Sequence, residues 1–299
     1  MINRIATSAG PRTMLLSIQY ANRELLDAQE QVTTGRRINR VSDNPADAVG
    51  ALNQRASLRR MEQFSRNAEE ASSWFDAGDA ALGDVSDRLS NVRALLVQAN
   101  SGANDATSRT ALANQIRAAR QSILLAANTE KSGRPLFAGN AGGSVAYDAN
   151  GVYQGDNGVV RLPITNGVSL QVNRTGPEIF GTTNADPLQG DVFQLLDSLA
   201  TSVQNGDSAA IGAGLGLIDD ATKRVATAQV QLGSNAAQLE DLTNTLEDGK
   251  VALKSGISTK ENVDFAESII NLKTREAAYQ AAIQATAKVI QPSLLDFLR

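Results

Sequence analysis

The stretch that decides the fold is residues 75–99, which read FDAGDAALGDVSDRLSNVRALLVQA. Apolar or small residues return in it at alternating steps of three and four, namely at Phe75, Gly78, Leu82, Val85, Leu89, Val92, Leu96 and Ala99. Residues at this spacing line one stripe along an α-helix. The segment therefore predicts a long helix that buries a single stripe against other helices.

Two further stretches of the inner chain repeat this spacing. One consists of Leu112, Ile116, Ala119, Ile123 and Ala126, and the other of Val225, Ala228, Leu232, Asn235, Leu239, Leu242 and Leu246. Helices that each carry one apolar stripe bury those stripes against one another. We therefore interpret the three inner stretches as parts of one antiparallel helical bundle.

Both ends of the chain show the same spacing. The N-terminal series is Leu15, Ile18, Asn22, Leu25, Gln29 and Val32, and the C-terminal series is Ile269, Leu272, Glu276, Tyr279, Ile283, Thr286 and Ile290. The last residues add Leu294, Leu295, Phe297 and Leu298. Chain ends rarely carry this much apolar surface unless they dock on something. The residues alone leave open whether the ends dock within one monomer or on neighbouring copies.

Proline and glycine divide the chain into three parts. The seven prolines leave residues 46–134 and 188–291 without proline, and long helices are permitted there. Between them, residues 133–190 hold 11 of the 24 glycines and four prolines. Asn-Gly turns in that stretch separate β-type runs at 151–154, 159–164 and 168–173. The layout predicts helices, then a small β insertion, then helices.

Composition excludes several classes of protein. The 299 residues include no cysteine and no histidine, which removes disulfides, thiolate nucleophiles and the commonest metal ligand and general base. A net charge of −4 argues against a general nucleic-acid binder. The N-terminus lacks the apolar run of a cleaved secretory signal, and no stretch is long enough to span a bilayer. We expect no enzyme activity, no metal and no cofactor.

Three local patterns suggest chemistry but have simpler explanations. Gly212-Ala-Gly214-Leu-Gly216 lacks the spacing of a phosphate-binding loop and no strand is predicted before it, so we interpret it as a helical turn. Asp219 and Asp220 are adjacent and would point about 100° apart on a helix, which rules out a paired-carboxylate site. Asn173-Arg-Thr175 matches a glycosylation pattern that chance suffices to explain.

One motif marks the start of a helix. In RVSDNPAD, residues 40–47, Asn44 can cap a helix, Pro45 suits its first position, and Asp47 places an acid in its first turn. The motif follows a basic stretch with Arg36, Arg37 and Arg40. Because no aromatic residue interrupts these arginines, we expect a solvated or inter-subunit charged face rather than a nucleic-acid site.

This motif also carries a resemblance. Residues 31–47, QVTTGRRINRVSDNPAD, resemble the signature of the bacterial flagellin family, with matches at Ser42, Asp43, Pro45 and Ala46. Asn44 stands where that family usually has a second Asp, which keeps the capping chemistry. VRALLVQAN at 92–100 and AAIQATAKVIQPSLLDFL at 281–298 are similar to its next helix and its C-terminal helix. The N-terminal Met-Ile-Asn-Arg-Ile departs from the commoner start.

The middle of the chain is most similar to the family's hook–filament junction members. Ser132–Gly139, Tyr153–Asp156 and Leu170–Gly181 resemble the β region of those proteins. The ending Ser293-Leu-Leu-Asp-Phe-Leu also fits their tail better than the shorter ending of filament flagellins. The resemblance thus implies a junction protein, with a small filament flagellin as the alternative.

The fold that the resemblance implies is mainly α, with an elongated helical rod or coiled-coil bundle built from both chain ends and one outward β-rich domain. The expected segments are 1–45 for N-terminal coiled-coil assembly, 46–132 and 188–255 for the two parts of the rod, 133–187 for the β-rich domain, and 256–299 for C-terminal coiled-coil assembly. The end helices of the family become ordered on assembly. We expect an assembly interface formed by Leu15, Ile18, Leu25, Val32, Ile269, Leu272, Tyr279, Ile283, Ile290, Leu294, Leu295 and Phe297.

The resemblance also implies a location and partners. Members are exported unfolded through the flagellar type III apparatus with an export chaperone, keep no cleaved signal, and work outside the cell. The expected partners are further copies of the chain, the first hook-associated junction protein and flagellin, with no nucleic acid and no membrane insertion. Two other classes stay open on the residues alone. One is an enzyme that uses Asp, Glu and Lys, which a cleft with raised-pKa carboxylates would indicate, and the other is a cytosolic coiled-coil scaffold.

Overall fold

Helices make up most of the chain in a computed structural model. The structure describes residues 3–101, 104–143, 145–183 and 190–295, and it gives only the backbone for residues 3–11 and 288–295. The helices are α1 (Asn3–Thr34), α2 (Pro45–Ala99), α3 (Ala106–Ala127), α4 (Gly176–Phe180), α5 (Val192–Asn205), α6 (Ser208–Glu261) and α7 (Phe265–Leu295). The strands are β1 (Glu130–Lys131), β2 (Arg134–Pro135), β3 (Arg161–Thr165) and β4 (Val168–Gln171). The prediction of a mainly α fold with a small β insertion is confirmed.

The chain divides into two compact units. One unit joins the two ends, residues 1–60 and 249–299, and the other comprises residues 61–248. The division falls inside α2 and inside α6. In the described part of the chain no helix is long and apolar enough to cross a membrane.

The core of the 61–248 unit follows the predicted stripes. All eight stripe residues of the 75–99 segment are buried. In the other two inner stretches every stripe position is buried or half-buried, and α3 packs along α5. Small residues permit close approach between helices: a Cβ at Gly78 would come within 3.2 Å of Leu232 Cδ1. The three inner stripes are therefore parts of one core, as predicted.

The β insertion is built from two short hairpins. Strands β3 and β4 pair antiparallel across Asn166-Gly167, with Gly167 in the left-handed region at φ +79°. Strands β1 and β2 pair across Ser132-Gly133, where both residues have positive φ. That second hairpin was not predicted, although a small residue followed by Gly between two short strands is a hairpin signal. The predicted run 151–154 contributes an isolated bridge between Tyr153 and Tyr147 rather than a strand.

Ring packing and one buried arginine attach the insertion to the helices. Tyr147 contacts Phe180 and Phe193, with ring centroids 5.6 Å and 4.9 Å away. The Arg120 side chain, on α3, forms an ion pair with Asp197 at 2.7 Å and donates to the Asn150 carbonyl at 2.8 Å. One residue thus ties α3, α5 and the insertion together. Buried aromatic contacts of this kind add about 0.5–1.5 kcal/mol per pair beyond their area.

The three suspected chemical patterns have structural roles. Gly214 lies inside α6, where a Cβ would clash with the Leu199 side chain, so the glycine serves helix packing. Asp219 pairs with Arg93 at 2.7 Å and Asp220 with Lys223 at 3.0 Å. Asn173 is buried, and its side chain accepts from the Val160 N–H and donates to the Gly158 carbonyl. This buried amide nitrogen is not accessible for modification.

Candidate assembly site at the paired chain ends

The two end helices, α1 and α7, pack against each other. The α1 seam consists of Met14, Ile18, Ala21, Leu25, Ala28 and Val32, at steps of four and three. The predicted series had Leu15, Asn22 and Gln29 at three of these positions, and all three are exposed. Alanine allows the helices to approach closely, while Asn and Gln stay in water. At every second position of the seam, the residue that faces α7 is therefore the one just before the predicted residue.

The facing side of α7 mixes apolar and polar residues. Ser268 is buried there, and Asn271, Leu272, Tyr279 and Ala282 are half-buried along the same stripe. An ion pair joins the two helices, because Arg275 Nη1 lies 3.0 Å from Glu24 Oε2. Both groups are partly exposed, so this pair contributes about 0–1 kcal/mol. Among the described side chains of α1 and α7, only Ala28 and Ser268 are buried.

Large apolar side chains also lie on the sides of α1 away from this seam. Leu15, Leu16, Tyr20 and Leu26 are each more than half exposed. At 100° per residue, Leu16 and Tyr20 point about 120–160° away from the centre of the seam. Exposed large apolar side chains outside the packed stripe of a helix can mark a contact with a further partner. α1 therefore presents surface that α7 does not cover.

α7 has a similar uncovered surface. Phe265 and Ile270 are more than half exposed, and Ile269 and Ile283 are 40% and 43% exposed. Ile270 lies about 200° around the helix from the buried Ser268, so the two side chains point in nearly opposite directions. Both end helices thus use one side for each other and leave apolar side chains on the other sides.

The predicted interface residues fall into three groups. Ile18, Leu25, Val32, Leu272 and Tyr279 are half-buried in the pair of helices. Leu15, Ile269 and Ile283 are exposed. The remaining residues lie partly or wholly outside the described structure: Ile290, Leu294 and Leu295 are on α7 without described side chains, and Phe297 is outside the described residues. The exposed Leu16, Tyr20, Leu26, Phe265 and Ile270 were missed by the sequence reasoning, which followed one stripe only.

The family signature loop begins α2 as predicted. The Asn44 side chain accepts from the Asp47 N–H at 3.1 Å, and Pro45 is the first residue of the helix. Asp43 Oδ2 accepts from the backbone N–H groups of Arg40 and Asn39 at 2.8 Å and 3.0 Å. These bonds, led by that from Arg40, hold the pKa of Asp43 below its ordinary value. Ser42 and Ala46 are exposed beside them.

Backbone hydrogen bonds join this loop to the break between α6 and α7. The Arg37 N–H donates to the Glu261 carbonyl at 2.6 Å, and the Val263 N–H donates to the Gly35 carbonyl at 3.1 Å. Arg36 and Asn262 form an antiparallel bridge between them. Gly35, at φ +67°, adopts the left-handed conformation that ends α1. We call residues 35–47 and 260–264 together the chain-end joint.

Charged side chains reinforce the chain-end joint. Arg37 Nη2 donates to Asp47 Oδ2 and to the Lys260 carbonyl, both at 2.9 Å, and Lys260 Nζ lies 3.4 Å from Asp47 Oδ1. The bond from Arg37 lowers the pKa of Asp47. Glu261, which is buried, pairs with Arg55 of α2. Asp47, in the first turn of α2, therefore also binds Lys260 at the end of α6.

Two polar clefts flank the chain-end joint. The larger, about 290 Å³, is lined by Asp27, Glu30, Arg40, Asp43 and Arg275 among others. The smaller, about 190 Å³, includes Arg37, Asp264 and Glu267. Within the described residues no group of three or more acids is placed to hold a metal ion. Hydrogen bonds lower the pKa of Asp43, which lines the larger cleft.

The comparisons with known proteins agree with this architecture. The chain is 24% identical to "Flagellar hook-associated protein 3" of Salmonella typhimurium, over 99% of this chain and 100% of that protein. It is 28% identical to "Flagellin" of Bacillus subtilis, over 90% of this chain and 91% of that protein. A solved structure, a putative flagellar hook-associated protein from Vibrio parahaemolyticus, superposes with a TM-score of 0.67 at 20% identity, covering 74% of this chain and all of that one.

Family models cover both arms of the chain. The model for the bacterial flagellin N-terminal helical region matches residues 5–141, and the model for the C-terminal helical region matches residues 215–298. The first match contains α1 from residue 5 onward, the signature loop, α2 and α3, and the second contains most of α6 and all of α7. The predicted flagellin-like fold is confirmed. The chain belongs to the bacterial flagellin family.

Proposed function

We propose that this chain is a structural subunit of the bacterial flagellum that forms the junction between the hook and the filament. The observation that carries the proposal is the apolar surface left uncovered on the paired end helices. Leu16, Tyr20 and Ile270 are exposed on sides of α1 and α7 that face away from their common seam. Burying such side chains contributes about 1.5–3 kcal/mol each. Packing several copies side by side would bury them.

The chain-end joint supports this role. It fixes the point where α1 ends to the point where α7 begins, through backbone bonds between residues about 225 apart in sequence. A subunit that passes mechanical load along a tube needs its two end helices held in one register. The backbone bonds from Arg37 and Val263 hold that register. The proposed role involves no cofactor and no metal ion.

The relatives include both hook-associated proteins and flagellins. The full-length likeness to a hook-associated protein and the structural likeness to a second one favour the junction. The identity of 28% to a flagellin favours the alternative, a small filament flagellin. The similarity of the middle segment and of the tail to junction proteins makes the junction our preferred proposal.

The proposed partners follow from the position between two tubes. Further copies of the chain complete the junction, the first hook-associated junction protein lies on the hook side, and flagellin lies on the filament side. The chain would reach this place outside the cell unfolded, through the type III export apparatus and with an export chaperone. Its role would be mechanical adaptation between two tubes rather than catalysis.

Deleting the gene tests the proposal against its alternative. Electron microscopy of the deletion cells is combined with a blot of the culture medium for flagellin. The junction role predicts bare hooks together with flagellin shed into the medium, and restored filaments on complementation. Hooks without any flagellin in cells or medium would identify the chain as the filament subunit instead. Normal filaments would contradict both the junction and the filament role and would favour the coiled-coil scaffold instead.

A further inference from the structure

A cavity in the 61–248 unit is lined by positive charge. It has a volume of about 410 Å³ and lies between α4 and α6. Its wall contains three cations, Arg174, Lys223 and Arg224, and one anion, Glu178. None of these residues belongs to the chain-end joint or to the exposed faces of the end helices, so the proposed function leaves this cavity unexplained.

Two acids, Glu178 and Asp220, lie near the cations of the cavity. Glu178 Oε2 forms a long ion pair with Arg174 Nη1 at 3.8 Å, beyond ordinary hydrogen-bond distance, and also accepts from the Thr175 N–H. Asp220 binds Lys223 at 3.0 Å, on the exposed side of α6. Within the described residues, the charge of Asp220 also acts on Arg224, although the Nε of Arg224 has no hydrogen-bond partner.

Both arginines have a buried donor without an acceptor. The Nε groups of Arg174 and Arg224 are inaccessible to solvent and have no hydrogen-bond partner in the described part of the chain. Arg224 is held close to the backbone, since its Nη2 lies 3.5 Å from where a Cβ would stand at Gly181. Burial lowers the pKa of Arg224, and the charge of Asp220 opposes this shift. A buried polar donor normally has a hydrogen-bond partner.

We propose that this cavity binds a small oxoanion, carboxylate or phosphate in class, between the side chains of Arg174 and Arg224. Guanidinium groups present several N–H donors in a planar fork that matches the oxygens of such anions. Thr227 and Gln231, which also line the cavity, add polar atoms on the α6 side. Lys223 contributes long-range attraction from the rim, where its side chain is 76% exposed.

Calorimetric titration of the full chain tests the proposal. The probes are inorganic phosphate, sulfate and acetate, added at constant ionic strength balanced with sodium chloride. The variants are R224M and R174M, with R88M as the matched control because Arg88 is an exposed arginine of α2 outside the cavity. We expect at least one oxoanion to bind wild type and R88M equally, and R224M and R174M at least tenfold more weakly.

The probes separate the two kinds of anion, since phosphate and acetate report on tetrahedral and planar groups respectively. Two results would overturn the proposal: no oxoanion binds more strongly than chloride, or R224M binds as well as wild type. Thermal unfolding in chloride alone guards against misfolding of the variants. R224M should unfold at the same or a higher temperature than wild type, whereas a clear loss without any oxoanion effect would mean that Arg224 is satisfied within its own chain.

Discussion

The Tyr147 hydroxyl lies buried among aromatic rings, and in the described residues nothing bonds to it. Burial raises its pKa above the ordinary value for tyrosine. The neighbouring Tyr153 is different, because its hydroxyl donates to the Asp156 carbonyl at 2.7 Å and lies 3.0 Å from the Phe137 carbonyl. Burial raises the pKa of Tyr153 to about 12. The two tyrosine rings are in contact, but the unbonded Tyr147 hydroxyl destabilises the fold whereas the hydrogen-bonded Tyr153 hydroxyl stabilises it.

This pair gives a matched test of the insertion's packing. We expect Y147F to leave the free energy of unfolding unchanged or raise it, because an unsatisfied buried hydroxyl costs about 1–3 kcal/mol. Y153F should lower it by about 1 kcal/mol, because it removes satisfied hydrogen bonds. Denaturant unfolding of the two variants measures both effects. A loss in Y147F as large as that in Y153F would mean that the Tyr147 hydroxyl has a partner.

The Asn44 cap is a second test at the scale of single residues. N44A should lower the free energy of unfolding by about 1 kcal/mol, since the Asp47 N–H loses its acceptor. N44D should retain the capping bond and stay close to wild type. The comparison is made by thermal unfolding at neutral pH. Equal losses in both variants would show that the side-chain amide, which donates to Asp47 Oδ2, matters more than the cap.

The elements show which features sequence periodicity can predict. The stripes of α2, α3 and α6 were predicted residue by residue, because a buried helix face repeats every three to four positions. In α1 the predicted register was displaced at alternate positions, because Ala21 and Ala28 are small enough to be overlooked beside Leu15. The β1–β2 hairpin was missed since strands of two residues carry no period. Element existence was therefore easier to predict than side-chain placement.

Local stability should differ sharply between elements. α3 has eight buried residues and α5 has seven, whereas the described side chains of α1 and of α7 include one each. In the isolated chain we expect the backbone amides of α1 and α7 to exchange with deuterium much faster than those of α3 and α5, because local opening exposes little apolar area. Hydrogen-exchange mass spectrometry measures this. Equal protection of the four helices would contradict the expectation and the view that the ends await partners.

At the scale of the whole molecule, the chain-end joint depends on contacts that a linear pattern does not reveal. The signature loop predicted a capped helix, and the structure confirms it. The pairing of Arg37 with Glu261 and of Gly35 with Val263 was not predicted, because no periodic signal links residues so far apart. The same holds for the cation-lined cavity, whose arginines come from separate segments of the chain. The proposed role of the end helices rests on the excess of apolar residues at both termini, which is visible in the sequence.

Complementation of deletion cells tests directly whether the uncovered faces of α1 and α7 mediate assembly. Deletion cells are complemented with wild type, with the double variant L16D/Y20D, or with V230D, and filaments are counted by electron microscopy. Val230 is an exposed apolar residue of α6, so V230D adds the same kind of charge elsewhere. Blots of the medium establish that each variant is exported. We expect filaments with wild type and with V230D, and bare hooks with exported L16D/Y20D. Normal filaments with exported L16D/Y20D would contradict a role of these faces in assembly.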